Sequence, residues 1–523
     1  MRKSMIIFVL LLASGIGCIC YAHSTLSAAQ GNVSFTSVEE YGDVTAADGL
    51  TVSVMAHLEN HLLWDTVFTF GQTPRTRTDF SFHTSPLRWT PEIAYPPLLM
   101  SLPGDINRNS SGINLLDENE AAGIYYPSPI VSYDILRDVA ARTQNGGRHS
   151  ETFYLRDYYE YYPITAQIFT GLQFGGYSGE NYYYTIQGDV PSLGQIPDEA
   201  EVNKAFSDFF RIPVPEGHKV TVTIGKDSAG NVVQIETRQE NGPYMYAASV
   251  ETDDGIYFVI SNAQGAADFS SVPGGFGVYL LPKATILDGQ GTEYPTLDYK
   301  NLKTVFPLGI STADYDLTAA GQLAPSVTGD RQQLALARTA TQLTLSEDGR
   351  CLNLITFEDG VYYLTVIELG SMAEKQKMPL FEEVGDGLFF MASYVDGFLY
   401  AELHDSRFVL AEKTAGNTYR QVLSGARDFL LSFEGQYVWT QPQIAWDGER
   451  LALVTRHRRS SPINSYAFRG LTIETCGFTL EIYDESGIRY KGAYESSLDV
   501  LTTSNLTYDI CRLIDTGGLS AWW

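Results

Sequence analysis

The sequence predicts an all-β protein built from repeated four-stranded antiparallel sheets, and three observations carry that expectation. A turn-forming Asp-Gly leads into an alternating apolar strand at Asp348-Gly349, Asp396-Gly397 and Asp447-Gly448, the aspartates standing 48 and then 51 residues apart. A fixed period of this size marks stacked units, none of which can cover its own hydrophobic face alone. Aromatic residues make up 12 % of the 523 residues, with 33 Tyr and 26 Phe, and such side chains favour strands over helices. Apolar content of 44 % and charged content of 19 % suit a packed core and not a disordered chain.

From the N-terminus, Arg2 and Lys3 precede the apolar run Met5 to Tyr21, with small residues around Cys20-Tyr21-Ala22. This is the layout of a secretory leader, with an uncleaved membrane anchor as the alternative. Cys18 follows Gly15-Ile16-Gly17, which resembles a bacterial lipoprotein box without its usual leucine. Residues 1–22 are therefore read as signal peptide or anchor, 23–32 as spacer and 33–523 as a single domain. Val33 to Tyr41 reads as the first strand. Leu50 to Leu58 alternates through Val52, Val54, Ala56 and Leu58, and pairs with Leu62 to Phe70 across Glu59-Asn60-His61.

Pro86, Pro91, Pro96, Pro97 and Pro103 break the next stretch into loop. Tyr133 to Arg142 is the best helix candidate, with a strand as the alternative, and Asp198 to Phe210 also has helical spacing. Thr152 to Thr170 and Tyr182 to Ile186, rich in Tyr and Phe, read as strands. So do His218 to Ile224, Val232 to Arg238, Tyr244 to Val250 and Ile256 to Ser261. Ser270 to Tyr299 reads as loop, and Val305 to Ala324 is weakly patterned.

Leu345-Ser346-Glu347-Asp348-Gly349-Arg350-Cys351-Leu352 resembles the strand openings of TolB-type and WD-repeat-like β-propellers, where a Ser-x-Asp-Gly turn precedes an apolar strand. Ile444-Ala445-Trp446-Asp447-Gly448-Glu449-Arg450-Leu451 has the same shape. The usual proline before Asp-Gly is missing and no Trp-Asp pair recurs, so the resemblance implies a fold and carries no function. The fold it implies is a β-propeller of about seven or eight four-stranded blades with short helical or loop insertions, at ~40–50 residues per blade. Val33 to Tyr41 and Leu501 to Leu513 are placed to pair as its first and last strands.

A net charge of −27 repels phosphate backbones and excludes nucleic acid as a partner. Only Cys351, Cys476 and Cys511 lie beyond the leader, too few for a disulfide framework, and they read as small core residues. Gly176-Tyr177-Ser178-Gly179-Glu180 lacks the last glycine of a nucleophile elbow. His57 and His61 flank a strand-like turn and not a helical zinc motif. Asp105 to Asp117 looks like a dockerin or EF-hand-type loop, with Asp105, Asn107, Asn109 and Asp117 as calcium ligands. Its glycine comes two places late and its closing acid one place late, and a polar loop is the alternative. Calcium is the one cofactor suggested. Tyr158, Tyr159, Tyr161 and Tyr183 are candidate ligand-binding residues for sugars or peptides, with packing between sheets as the alternative. The basic cluster Arg456-His457-Arg458-Arg459 is expected at the tip of a long hairpin.

On balance the sequence favours an exported, non-catalytic propeller acting as a binding or scaffold module. Its partner would be a protein, peptide or glycan at the cell exterior, met from a secreted or membrane-attached position. The alternatives are a carbohydrate-active enzyme and a membrane-anchored sensor. A converging pair of buried carboxylates near a central pocket would favour the enzyme. An aromatic face without perturbed acids would favour binding.

Overall fold

The computed structural model describes residues 7, 11–21, 24, 33–58, 62–82, 97–102, 107–113, 131–168, 199–240, 244–264, 267–287, 293–309, 340–358, 360–382, 384, 389–403, 405–427, 436–437, 442–462, 471–503 and 518–523. In chain order, β1 (Phe35–Gly42) is followed by the meander β2 (Thr51–Leu58), β3 (Leu62–Thr69) and β4 (Arg75–Phe82). β5 (Leu98–Ser101) pairs with β8 (Thr165–Ile168). β6 (Asn107–Ile113), β7 (Arg148–Tyr154), β9 (Lys219–Lys226) and β10 (Val232–Glu240) form a sheet in the order β6-β10-β9-β7. The next sheet holds β11 (Tyr244–Glu251), β12 (Gly255–Gln264), β13 (Gly277–Leu287), β14 (Glu293–Leu297) and β15 (Lys303–Pro307).

Two further meanders are β16 (Ala340–Leu345) to β17 (Cys351–Glu358), β18 (Val361–Glu368) and β19 (Ala373–Phe381), then β20 (Phe389–Val395) to β21 (Phe398–Leu403), β22 (Arg407–Lys413) and β23 (Tyr419–Ala426). The last sheet has β24 (Gln436–Tyr437), β25 (Gln443–Trp446), β26 (Leu451–Pro462), β27 (Leu471–Asp484) and β28 (Gly487–Thr503), with β1 added on β28. β29 (Leu519–Trp522) returns to pair with β2. The chain is thus all-β and of the β-propeller class. Four-stranded antiparallel sheets follow one another in sequence, and strands from the two ends of the chain share sheets. Two α-helices, α1 (Tyr133–Arg142) and α2 (Glu199–Phe210), are inserted. No helix among the described residues is long and apolar enough to cross a membrane.

The Asp-Gly period has a structural meaning. Asp348-Gly349 joins β16 to β17, Asp396-Gly397 joins β20 to β21, and Asp447-Gly448 joins β25 to β26. The first two open the second strand of their sheets, and Asp447-Gly448 opens β26 after the short β24 and β25; Asp48-Gly49 and Asp254-Gly255 likewise lead into β2 and β12. At Asp396 and Gly397 φ is +49° and +82°, the two consecutive positive values that a tight two-residue hairpin requires. Gly349 has φ +68° with open space where a Cβ would stand, so its constraint is the backbone alone. Gly349→Ala should therefore cost about 1 kcal/mol in urea unfolding. An unchanged midpoint would show that the turn relaxes.

The end strands differ from expectation. β1 pairs with β28 from Phe35↔Ser496 to Gly42↔Tyr490, and residues 501–503 pair with β27; the remainder of Leu501 to Leu513 lies outside the described residues. The strand that returns to β2 is β29, at Thr51↔Trp522 to Val54↔Leu519. Four residues are too few to show a period. Ser270 to Tyr299 contains β13 and β14 where loop was expected. Its glycines serve close approach: a Cβ on Gly277 would lie 2.2 Å from the Phe306 carbonyl oxygen of the partner strand β15. The strand expected from Thr152 stops at Tyr154, where a 3-10 turn at Leu155–Asp157 begins.

Two compact units divide the chain. The first comprises Met1–Ile93, Phe390–Lys413 and Tyr419–Trp523, and the second Ala94–Phe389 with Thr414–Thr418. In the first, an aromatic cluster of Phe35, Phe68, Phe70, Phe478 and Tyr494 joins the β2–β4 sheet to the β25–β28 sheet. The rings of Phe478 and Tyr494 stack at 5.0 Å. A second cluster, with Tyr400, Phe408, Leu410, Leu453 and Tyr483, joins the β20–β23 sheet to the other face of β25–β28. In the second unit a hydrophobic core runs from Leu98 to Ile367.

The turn at Asp447 also anchors the first unit's end strands. Its carboxylate accepts from the Glu449 and Arg450 amides and from Arg450 Nε at 2.8 Å. Arg450 in turn donates to the Ala46 carbonyl at 2.7 Å and lies 4.0 Å over the Trp523 ring. Asp447→Ala leaves these groups without their acceptor, and about 1–2 kcal/mol should be lost in chemical denaturation. A loss no larger than that of an exposed substitution would contradict the anchoring role.

Candidate functional site

In the first unit, side chains two apart on a strand share a face, and this places Tyr400 with Glu402 on β21 and Glu481 with Tyr483 on β27. β21 and the described part of β27 run buried on both faces, which keeps their acids away from bulk water in this structure. Arg427, one residue past β23, reaches between them. Its Nε and Nη2 donate to the two oxygens of Glu481, each at 3.0 Å, in fork geometry. Its Nη1 contacts both oxygens of Glu402 at 3.3 Å. Nη2 also points at Thr455 Oγ1 of β26, 3.5 Å away.

Two phenols complete the group. Tyr400 Oη donates to Glu402 at 2.7 Å, and Tyr483 Oη donates to Glu481 at 2.8 Å. Phe408 packs against both rings, stacked on Tyr400 at 5.9 Å and edge-on to Tyr483 at 4.9 Å. Lys491, itself buried, lies across the β27/β28 ladder from Glu481.

Side-chain exposure is 1 % for Glu402, 4 % for Glu481 and 6 % for Arg427. Burial pushes the Glu402 carboxyl above its ordinary range. The Arg427 charge and the Tyr400 hydrogen bond oppose the shift, and the Glu481 charge adds to it. Arg427 is held charged by Glu481, despite burial. Two carboxylates therefore share one guanidinium, and one of them keeps its proton to higher pH than an ordinary glutamic acid.

None of these residues was singled out from the sequence. Glu402 interrupts the otherwise apolar Leu399-Tyr400-Ala401-Glu402-Leu403, and Glu481 stands between Leu480 and Ile482; an acid between apolar neighbours is the signal that could have found them. Arg427 has no local signal, because its partners lie 25 and 54 residues away.

Of the tyrosines read as a binding surface, Tyr158, Tyr159 and Tyr161 do come together in the second unit, on the segment after β7. Tyr158 is exposed, and Tyr159 and Tyr161 are half-buried. Tyr183 lies outside the described residues. The Arg211 guanidinium lies 4.7 Å over the Tyr161 ring. Of the calcium candidates, Asn107 and Asn109 fall on β6, in register with Glu236 and Gln234 of β10, while Asp105 and Asp117 lie outside the described residues. No three His, Cys, Asp or Glu side chains gather as a metal-holding group among the described residues. His57 is on β2, and both His61 and Ser178 lie outside the described residues. Arg456 to Arg459 run along β26 opposite Phe478 to Thr475, and not at a hairpin tip.

No protein-family model and no curated protein matches the sequence. Among solved structures, the chain is similar to a candidate 6-phosphogluconolactonase from Bacteroides fragilis at 9 % identity, over 89 % of this chain and 98 % of that one, with a TM-score of 0.26. A candidate 6-phosphogluconolactonase from Bacteroides uniformis matches at 11 % identity over 56 % and 87 %, TM-score 0.23. The periplasmic gluconolactonase of Pseudomonas aeruginosa matches at 11 % over 56 % and 82 %, TM-score 0.23. Likeness at this level carries no argument about this chain. The similar structures are described as lactonases, against the expectation of a non-catalytic binding or scaffold module, which is corrected to that extent and not carried forward.

Proposed function

We propose that the chain is a propeller hydrolase that cleaves an ester or lactone bond by general acid–base chemistry at Glu402 and Glu481. The observation that supports this reading is the pair of buried carboxylates on one guanidinium, with the Glu402 carboxyl pushed upward. Acids whose environments separate their proton affinities divide the roles of donor and acceptor between them. Glu402 donates a proton to the leaving oxygen, and Glu481 accepts one from the attacking water. Arg427 favours an acyl substrate over a glycoside. A fixed positive charge stabilises the oxyanion that develops when water adds to a carbonyl, whereas it repels the oxocarbenium character of glycoside hydrolysis. The 3.3 Å contacts to Glu402 are longer than the fork to Glu481, and in this reading they are the ones that open to admit substrate and the attacking water to the buried pair.

In the same reading the chain is exported behind Arg2-Lys3 and the Met5 to Tyr21 run, and its Ser346-Glu347-Asp348-Gly349 turn belongs with those of TolB-type and WD-repeat-like propellers. The test is hydrolysis of a panel of aldonolactones and p-nitrophenyl esters by the purified chain, with Glu402→Gln and Glu481→Gln as controls of matched circular dichroism. Turnover that both variants lose supports the proposal. No turnover on the panel, or turnover that Glu402→Gln retains, overturns it.

A further inference from the structure

We propose that the buried His218–Tyr162 pair is an acid-sensitive latch beneath the tyrosine segment of the second unit, letting go of Tyr158 and its neighbours when His218 takes up a proton. The segment from Leu155 to Tyr162 has little secondary structure of its own and is tied to residues 211–218 at both ends. At one end the Leu155 amide donates to the His218 carbonyl at 2.9 Å. At the other, Tyr162 Oη and His218 Nδ1 are 2.8 Å apart, and the Tyr162 amide donates to Ile212 O at 2.9 Å. Between them the Val214 amide donates to Glu160 O, and Arg156 Nη1 spans the Val214 and Glu160 carbonyls at 2.9 and 3.2 Å. His218 therefore meets the segment at both of its ends. Tyr158, 49 % exposed, rides on top.

The interior around His218 suits only the neutral imidazole. His218 and Tyr162 are each 1 % exposed. Burial lowers the proton affinity of His218, and a hydrogen bond with Gln239 offsets part of that. Burial also pushes the Tyr162 phenol far up, so it supplies no negative charge to balance an imidazolium. Of the charged groups on the packed segments, Arg156, Asp157, Glu160, Arg211, Glu216 and Arg238 are exposed, and Lys219 is half-buried. The sign follows directly. With the folded value depressed below 6.5, the latch is intact above the unfolded value and weakens as pH falls through it, because the unfolded chain binds the proton more readily.

The test is amide hydrogen exchange of the full chain near pH 7.5 and near pH 5, corrected for intrinsic rates, in wild type and His218→Gln. Protection of residues 155–162 should fall at least about tenfold more than that of β17 and β18 in the wild type, and the extra fall should vanish in the variant. Equal protection of the segment at both pH values, or the same fall in His218→Gln, overturns the proposal. Should that variant fail to fold, the imidazole carbon–proton signal of His218 in selectively labelled wild type decides. Titration below the ordinary histidine value with concurrent shifts at Tyr158 and Tyr162 supports the latch, and titration at the ordinary value overturns it.

Discussion

Arg427→Met should destabilise the protein by about 3–5 kcal/mol near neutral pH, because removing one member of a buried ion group leaves the rest uncompensated. Glu402 and Glu481 are 1 % and 4 % exposed and both lean on the same guanidinium. Methionine fills much of the arginine's volume, so a cavity is not the cause. What is lost is the charge that lets two carboxylates sit between two sheets. The pH dependence separates this from simple repacking. Without Arg427 the Glu402 carboxyl, already raised by burial, moves further up, so the stability it contributes is complete below the ordinary carboxylate range and lost as pH rises through the raised value. The deficit should therefore shrink in urea titrations run near pH 4. A deficit that stays constant from acid to neutral pH would mean that packing, and not charge, is what Arg427 supplies.

Glu402→Gln is expected to lower kcat by about 10²–10⁴ while leaving the fold intact, the range seen when a positioned acid or base is removed. Glutamine keeps the shape and one acceptor oxygen for the Tyr400 hydroxyl or Arg427, but carries no transferable proton. Its effect on stability has a definite sign. Burial raises the Glu402 carboxyl above 4.5, so the wild type loses stability from this group as pH rises through the raised value, and the variant does not. The two proteins should thus converge or cross between acid and neutral pH. A purely structural Glu402 would show the stability change with no loss of turnover.

Much of the architecture was legible in the Asp-Gly turns, because in each the glycine takes a positive φ that few other residues adopt, and five sheets use such a pair ahead of a strand. Even the irregularly spaced Asp48 and Asp254 open second strands. β29 was not legible, since four residues show no period and its partner β2 lies at the other end of the chain. The glycines of β13 read as loop because the need for close approach, seen at Gly277 against Phe306, depends on a partner strand the local sequence does not name. The candidate site was hidden for a related reason. Glu402, Arg427 and Glu481 belong to three separate stretches, and 62 acids in the chain offer no local ground for choosing two. The tyrosine segment was visible by composition, whereas its dependence on His218 comes only from the fold.

Infrared spectra of the folded chain followed from acid to neutral pH, with glutamate carboxyls isotope-labelled, bear most directly on the division of roles in the buried pair. A protonated-carboxyl band is expected that outlasts those of ordinary glutamic acids as pH rises, disappears in Glu402→Gln and persists in Glu481→Gln. Absence of any such band, or one that vanishes with Glu481 instead, would contradict the assignment of donor and acceptor.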